Sequence, residues 1–182
     1  MCVQWSGGWG VVELPSGRLL WQRAETSTLA WPVWHPTGKW VGNGAETPYR
    51  FVFVNAATGL ETAAFYGHQG AIGHAVLHPT QPLLFTQGWD RQLVMWDAWS
   101  GQAVGRLPSM VRGLAVSCEG GHLVFSPEYL GASVHELAVS RVWRTWEVQP
   151  ITGVGGTSLD VSPDGRWLVS NSPRLARLWE IS

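Results

Sequence analysis

The sequence predicts an all-β protein assembled from repeated four-stranded antiparallel units. Three observations carry that prediction: short apolar runs bounded by turn residues, two independent markers recurring with one period, and 22 glycines beside 13 tryptophans in 182 residues. The clearest period holds four strand-like runs, Gly73–Leu77, Leu83–Gln87, Gln92–Trp96 and Ala103–Leu107. Each gap between them carries turn chemistry: Pro79-Thr80-Gln81-Pro82, Gly88-Trp89-Asp90-Arg91 and Ala98-Trp99-Ser100-Gly101. No stretch of about ten residues keeps a helical period without Gly or Pro, which argues against alternating strands and helices.

The first marker is a turn. His35-Pro36-Thr37-Gly38 recurs at His78-Pro79-Thr80-Gln81, more loosely at Ser117-Cys118-Glu119-Gly120, and again at Ser162-Pro163-Asp164-Gly165, with starts 43, 39 and 45 residues apart. The second marker ends a strand-like run. Val12-Glu13, Val54-Asn55, Trp96-Asp97, His135-Glu136 and Trp179-Glu180 follow one another at 42, 42, 39 and 44 residues. Two markers agreeing on a period near 42 define a repeat array, and four-stranded units at that spacing are the signature of a β-propeller.

Taken in order, the units are a leading partial unit at 1–27, full units at 28–66, 67–110 and 111–150, and a terminal unit at 151–182 that lacks its last strand. This amounts to about four and a half blades in one array. The expectation is therefore the C-terminal portion of a longer propeller, or an open array whose unpaired edge invites self-association or a partner.

Composition narrows function. With 12 Lys+Arg against 13 Asp+Glu, the net charge is −1, which excludes binding to nucleic acid through bulk positive charge. The interspersed arginines Arg141, Arg144, Arg174 and Arg177 read as a solvated face. No apolar run reaches the roughly 18–20 residues of a membrane helix. Met1-Cys2-Val3-Gln4 does not read as a secretory signal, so Cys2 and Cys118 are expected as free thiols in the cytoplasm, with Cys118 in the core.

Gly67-His68 through Trp96-Asp97 resembles one full unit of the WD-repeat (WD40) family, with Asp90 six residues before Trp96. The closing Leu175-Ala176-Arg177-Leu178-Trp179-Glu180 resembles the same signature. The resemblance implies a propeller that acts in protein interaction and not in catalysis, with no cofactor. It also implies a buried hydrogen-bond network of histidine, aspartate, Ser/Thr and tryptophan, which by position falls on His68, Asp90, Thr86 and Trp96. In an antiparallel meander, the turn entering strand one and the turn between strands two and three share an end, so His68 and Asp90 can meet. The other units depart from the pattern, with Pro48, Tyr129 and Pro173 at the aspartate position.

Other chemistry finds little support. His68, His74 and His78 sit among Gly70, Gly73 and Pro79, where a metal-chelating helix turn is disfavoured, and four residues along a strand span about 13 Å. Gly153-Val154-Gly155-Gly156 lacks the Lys-Ser/Thr of a phosphate loop, and there is no Gly-x-Ser-x-Gly elbow. Glu13-Leu14-Pro15-Ser16-Gly17-Arg18-Leu19-Leu20-Trp21 is similar to the tryptophan-docking repeat of quinoprotein propellers, which offers a second reading as a small-molecule or cofactor binder. The equivalents of Trp21 are Phe65, two places off, and Gly105, however, and the sequence has no evident calcium-ligand cluster. A truncated regulatory tail of a larger signalling protein is a third reading.

What remains is surface. The turns between strands two and three contain Glu46-Thr47-Pro48, Trp89-Asp90-Arg91, Glu128-Tyr129 and Pro173-Arg174. Trp89, Arg91, Glu128, Tyr129 and Arg174 are the candidate contacts to a protein partner, because Trp, Tyr and Arg dominate binding hot spots. Packing of Trp89 and Tyr129 on adjacent loops is the competing reading.

Overall fold

A computed structural model describes residues 1–24, 31–46, 48–127, 132–137, 145–148, 158–172 and 175–180. These residues form antiparallel sheets of three or four strands, each a simple meander. The first sheet is β1 (Cys2–Trp5), β2 (Gly8–Val12) and β3 (Leu19–Ala24). The second is β4 (Val33–Trp34), β5 (Trp40–Glu46), β6 (Tyr49–Asn55) and β7 (Glu61–Tyr66). The third is β8 (Ile72–Leu77), β9 (Leu83–Gly88), β10 (Gln92–Asp97) and β11 (Ala103–Pro108). The fourth is β12 (Val111–Val116), β13 (His122–Pro127), β14 (Ala132–Glu136) and β15 (Thr145–Val148). The fifth is β16 (Ser158–Val161), β17 (Trp167–Ser172) and β18 (Leu175–Glu180). The fold is all-β, its small antiparallel sheets matching propeller blades. The four runs read from the clearest period lie within one residue of β8–β11; β8 starts one residue earlier because Ile72 pairs with Gly88, across a bulge that leaves Gly73 without a ladder partner.

The repeated markers are two kinds of turn, each with its own hydrogen-bond code. Between third and fourth strands, the N–H groups of Glu13, Asn55 and Asp97 donate to Arg18, Leu60 and Gln102 O, while those of Gly17, Gly59 and Gly101 donate back to Glu13, Asn55 and Asp97 O. Those glycines have φ of 73°, 72° and 73°, the left-handed region that glycine occupies without a Cβ penalty. Asp97 Oδ1 accepts from Trp99 and Ser100 N–H, as Asn55 Oδ1 does from Ala57 and Thr58. The aspartate of the Trp-Asp pair is thus a turn-former. Between first and second strands, Gly38, Gly120 and Gly165 N–H donate to His35, Ser117 and Ser162 O.

The chain divides into two compact units, Met1–Leu77 with Leu83–Leu107, and His78–Pro82 with Pro108–Ser182. In the first unit, Trp9 and Val11, four and two residues before Glu13, cluster with Val41, Val52 and Val54 of the second sheet. Phe51 and Phe53, at the same offsets before Asn55, cluster with Leu84, Val94 and Trp96 of the third. The second unit repeats this: Ala132 and Val134, at those offsets before Glu136, pack with Leu168 and Trp179. One register of face-to-face packing therefore recurs, each buried large apolar side chain contributing about 1.5–3 kcal/mol.

The second unit brings one correction. Cys118, expected in the core, is exposed. It lies in the Ser117–His122 turn, and its thiol donates to Pro163 O. In the same unit His78 is buried, its Nδ1 accepting from Thr80 and Gln81 N–H while Nε2 donates to Gly120 O at 3.0 Å.

Candidate functional site

The third sheet places Thr86 on β9 and Trp96 on β10, with His68 on the segment entering β8 and Asp90 in the β9–β10 turn. The four side chains join in one hydrogen-bonded chain. Trp96 Nε1 donates to Thr86 Oγ1 at 2.7 Å. Thr86 Oγ1 lies 2.8 Å from His68 Nε2, and His68 Nδ1 lies 3.0 and 3.1 Å from the Asp90 carboxylate oxygens.

The ends of this chain set its direction. An indole N–H can only donate, so Thr86 Oγ1 accepts there and turns its own proton to His68 Nε2. The neutral imidazole then carries its proton on Nδ1 and donates it to Asp90. Burial pushes the His68 pKa below its ordinary value; the Asp90 charge opposes that shift and Arg106 adds to it. The site is built to hold a neutral histidine against a carboxylate, an arrangement in which each buried polar group is satisfied.

Asp90 does more than face His68. Its carboxylate also accepts from Gln69 N–H at 2.8 Å and Gln92 N–H at 3.2 Å. One side chain therefore ties the segment before β8 to the β9–β10 turn. The turn is fixed further by Trp89 N–H to Ala71 O at 2.8 Å and Arg91 N–H to Gly88 O at 3.1 Å. Arg91 holds a φ of 62°, an uncommon conformation for a residue with a side chain. Gly88 is needed for proximity: a Cβ there would strike both His68 and Asp90.

The candidate contact residues fall into two sets. The Trp89 ring lies beside Gly73, where an added Cβ would come within 3.4 Å of its Nε1, and 61% of Trp89 is exposed; Arg91 next to it is exposed. Glu128, Tyr129 and Arg174 lie outside the described residues, as do Thr47 and Pro173. Of the histidines weighed for metal binding, His68 and His78 have both ring nitrogens engaged by the protein.

The other sheets keep only parts of the network. In the fifth, Trp179 Nε1 donates to Ser170 Oγ at 3.3 Å, the counterpart of Trp96 to Thr86. In the fourth, Phe125 and His135 occupy those two places and stack with centroids 4.6 Å apart at 11°. In the second, the pair is Asn43 and Val54; Asn43 is fully buried, and its Oδ1 accepts from Gly44 N–H.

Sequence reasoning missed three participants. Arg106 spans the strand end, donating to Gly67 O at 3.3 Å and lying 5.8 Å from the Trp96 ring centre. Trp9 is completely buried, edge-on to Trp21 at 5.2 Å. Trp21 reaches across to the second sheet, Nε1 donating to Ala56 O at 2.8 Å with its ring against Gly59. Only this last had a sequence signal, the tryptophan-docking resemblance.

The family model described as "WD domain, G-beta repeat" matches residues 59–97 and 150–180. A sequence search of curated proteins gave no match. Among solved structures 1143 chains match, so the fold alone points to no particular role. One of them, from the "Crystal Structure of Mitotic Checkpoint Complex", aligns with a TM-score of 0.76 at 18% identity, covering 97% of this chain. The chain spans 58% of that chain's length. Motif, repeat register and fold agree: the matched stretches are WD40 repeats, and the chain is a WD40 repeat domain in its fold.

Proposed function

We propose that this domain is a non-catalytic scaffold whose blade turns bind a partner protein, with Trp89 and Arg91 at the centre of the contact surface. The observation that carries this reading is the Asp90 clamp. Three donors hold the carboxylate between an exposed tryptophan and an exposed arginine, so both side chains are offered from a rigid backbone. Preorganised aromatic and arginine side chains lose little entropy on binding and dominate interface energetics. By position in the repeat, Glu128, Tyr129 and Arg174 extend the same surface. Likeness to a chain of a protein complex supports partners of protein character, and the free thiols Cys2 and Cys118 suit a cytoplasmic setting.

The test compares capture by immobilised wild-type chain and by Trp89→Ala and Arg91→Ala, read by mass spectrometry beside thermal melts. A set of proteins held by the wild type and lost with Trp89→Ala, at unchanged melting temperature, is the expected result. An identical set on both surfaces contradicts the reading.

A further inference from the structure

The turn Ala56–Gly59 of the second sheet already holds an indole. Trp21 donates from Nε1 to Ala56 O at 2.8 Å and lays its ring on Gly59, where a Cβ would come within 2.7 Å of the ring. Arg23, two residues on, donates to Gly59 O at 3.3 Å. Three features make this cradle: an outward backbone carbonyl, a glycine at φ 72° with no side chain to obstruct the ring, and an Asx turn that fixes both.

The third sheet contains a second copy. Asp97–Gly101 repeats the same backbone hydrogen bonds, the same Asx acceptor and the same left-handed glycine, at φ 73°. Ser100 Oγ accepts from Gln102 N–H as Thr58 Oγ1 does from Leu60 N–H. Ala98 stands where Ala56 stands, so the acceptor carbonyl comes from the same residue type. Nothing among the described residues comes within 4 Å of a Cβ built on Gly101. Trp99, in the place of Ala57, is 73% exposed.

The copy is open because of one substitution in the repeat. Trp21 pairs across the ladder with Val11, two residues before Glu13. The equivalent partner of Phe53, two residues before Asn55, is Ala63. The second and third sheets pack in the same register as the first and second. Ala63 therefore occupies the position from which an indole would fill the third-sheet cradle, and its methyl group leaves that cradle unfilled.

We propose that the turn Asp97–Gly101 is a recognition site for a tryptophan side chain presented by a partner polypeptide. The ring lies on Gly101, its N–H donates to Ala98 O, and Trp99 provides an aromatic wall beside it. The occupant is an indole because the occupied copy holds one through that donor and that ring face. The site is at the opposite end of the third sheet from Trp89, since Asp97 pairs with Leu83 and Gln92 with Gly88. It is thus independent of the surface proposed above.

The probe is an acetylated, amidated peptide of residues 18–24, Arg18-Leu19-Leu20-Trp21-Gln22-Arg23-Ala24, titrated into the isotope-labelled chain and followed by amide NMR. Saturable shifts confined to Ala98–Gly101 and the Trp99 indole are expected, with affinity at least about tenfold weaker for the peptide carrying Trp21→Ala. In the protein variant Ala63→Trp, an indole supplied within the chain fills the cradle and abolishes the peptide response. No shift at 98–101, equal affinity for the two peptides, or an undiminished response in a folded Ala63→Trp overturns the proposal. The peptide comparison needs no variant of the protein, so it decides the matter even if Ala63→Trp does not fold. Shifts at 89–91 in place of 98–101 also overturn it, while leaving the Trp89 surface standing.

Discussion

The second and third sheets share a backbone plan and solve the same interior position differently. In the third, the Thr86 and Trp96 places join a directed hydrogen-bond chain that ends on Asp90. In the second, those places hold Asn43 and Val54, and an aromatic cluster of Phe51, Phe53 and Phe65 fills the interface with the third sheet. The difference shows what the repeat requires. The strand–turn frame and the offset of the two inward apolar residues recur; the polar chain does not. In the third sheet the network is an addition to that frame, and through Asp90 it also holds the β9–β10 turn that carries Trp89.

Breaking the apolar side of this comparison has the largest expected effect. Phe51 is completely buried among Phe53 and Phe65, and Phe51→Ala should cost about 3–5 kcal/mol, read from chemical denaturation. Thr86→Val preserves shape but leaves Trp96 Nε1 and His68 Nε2 without their partner, which should cost about 1–3 kcal/mol in the same assay. If the network were dispensable for stability, as its absence from the second sheet would allow, Thr86→Val would match wild type.

A pH series sharpens the contrast further. The folded-state pKa of His68 lies below its ordinary 6.5, so the unfolded chain takes up a proton first as pH falls. The stability due to neutral His68 is complete above pH 6.5 and is lost as pH drops below it, toward the lowered folded value. His35 and His135, both lowered by burial, act in the same direction, so the His68 share is the part of the slope removed by His68→Asn. The smallest stability effect belongs to Trp89→Ala, within about 0.5 kcal/mol in the denaturation assay, because most of the ring is already in water.

Much of this was legible in the sequence because it is local. The period, both turn codes and the strand runs depend on residues within a few positions of each other, and Gly17, Gly59 and Gly101 mark their turns directly. Resemblance supplied the set His68, Thr86, Asp90 and Trp96, and their meeting follows from which strand ends coincide. Contacts between sheets were harder to read. Trp21 finds Ala56 across 35 residues, a contact that only the tryptophan-docking resemblance pointed toward, and no local pattern encodes the burial of Trp9 by a neighbouring sheet's valines. Cys118 departs from its expected core position for a related reason: between Ser117 and Glu119 it lies in the turn, not on the strand.

The most direct measurement is the protonation of His68 by nitrogen-detected NMR of the labelled imidazole. A directed chain from Trp96 through Thr86 to Asp90 requires a proton on Nδ1, none on Nε2 at neutral pH, and a pKa below 6.5. A proton on Nε2, or a pKa at or above 6.5, would contradict the account of how the Trp89 turn is held.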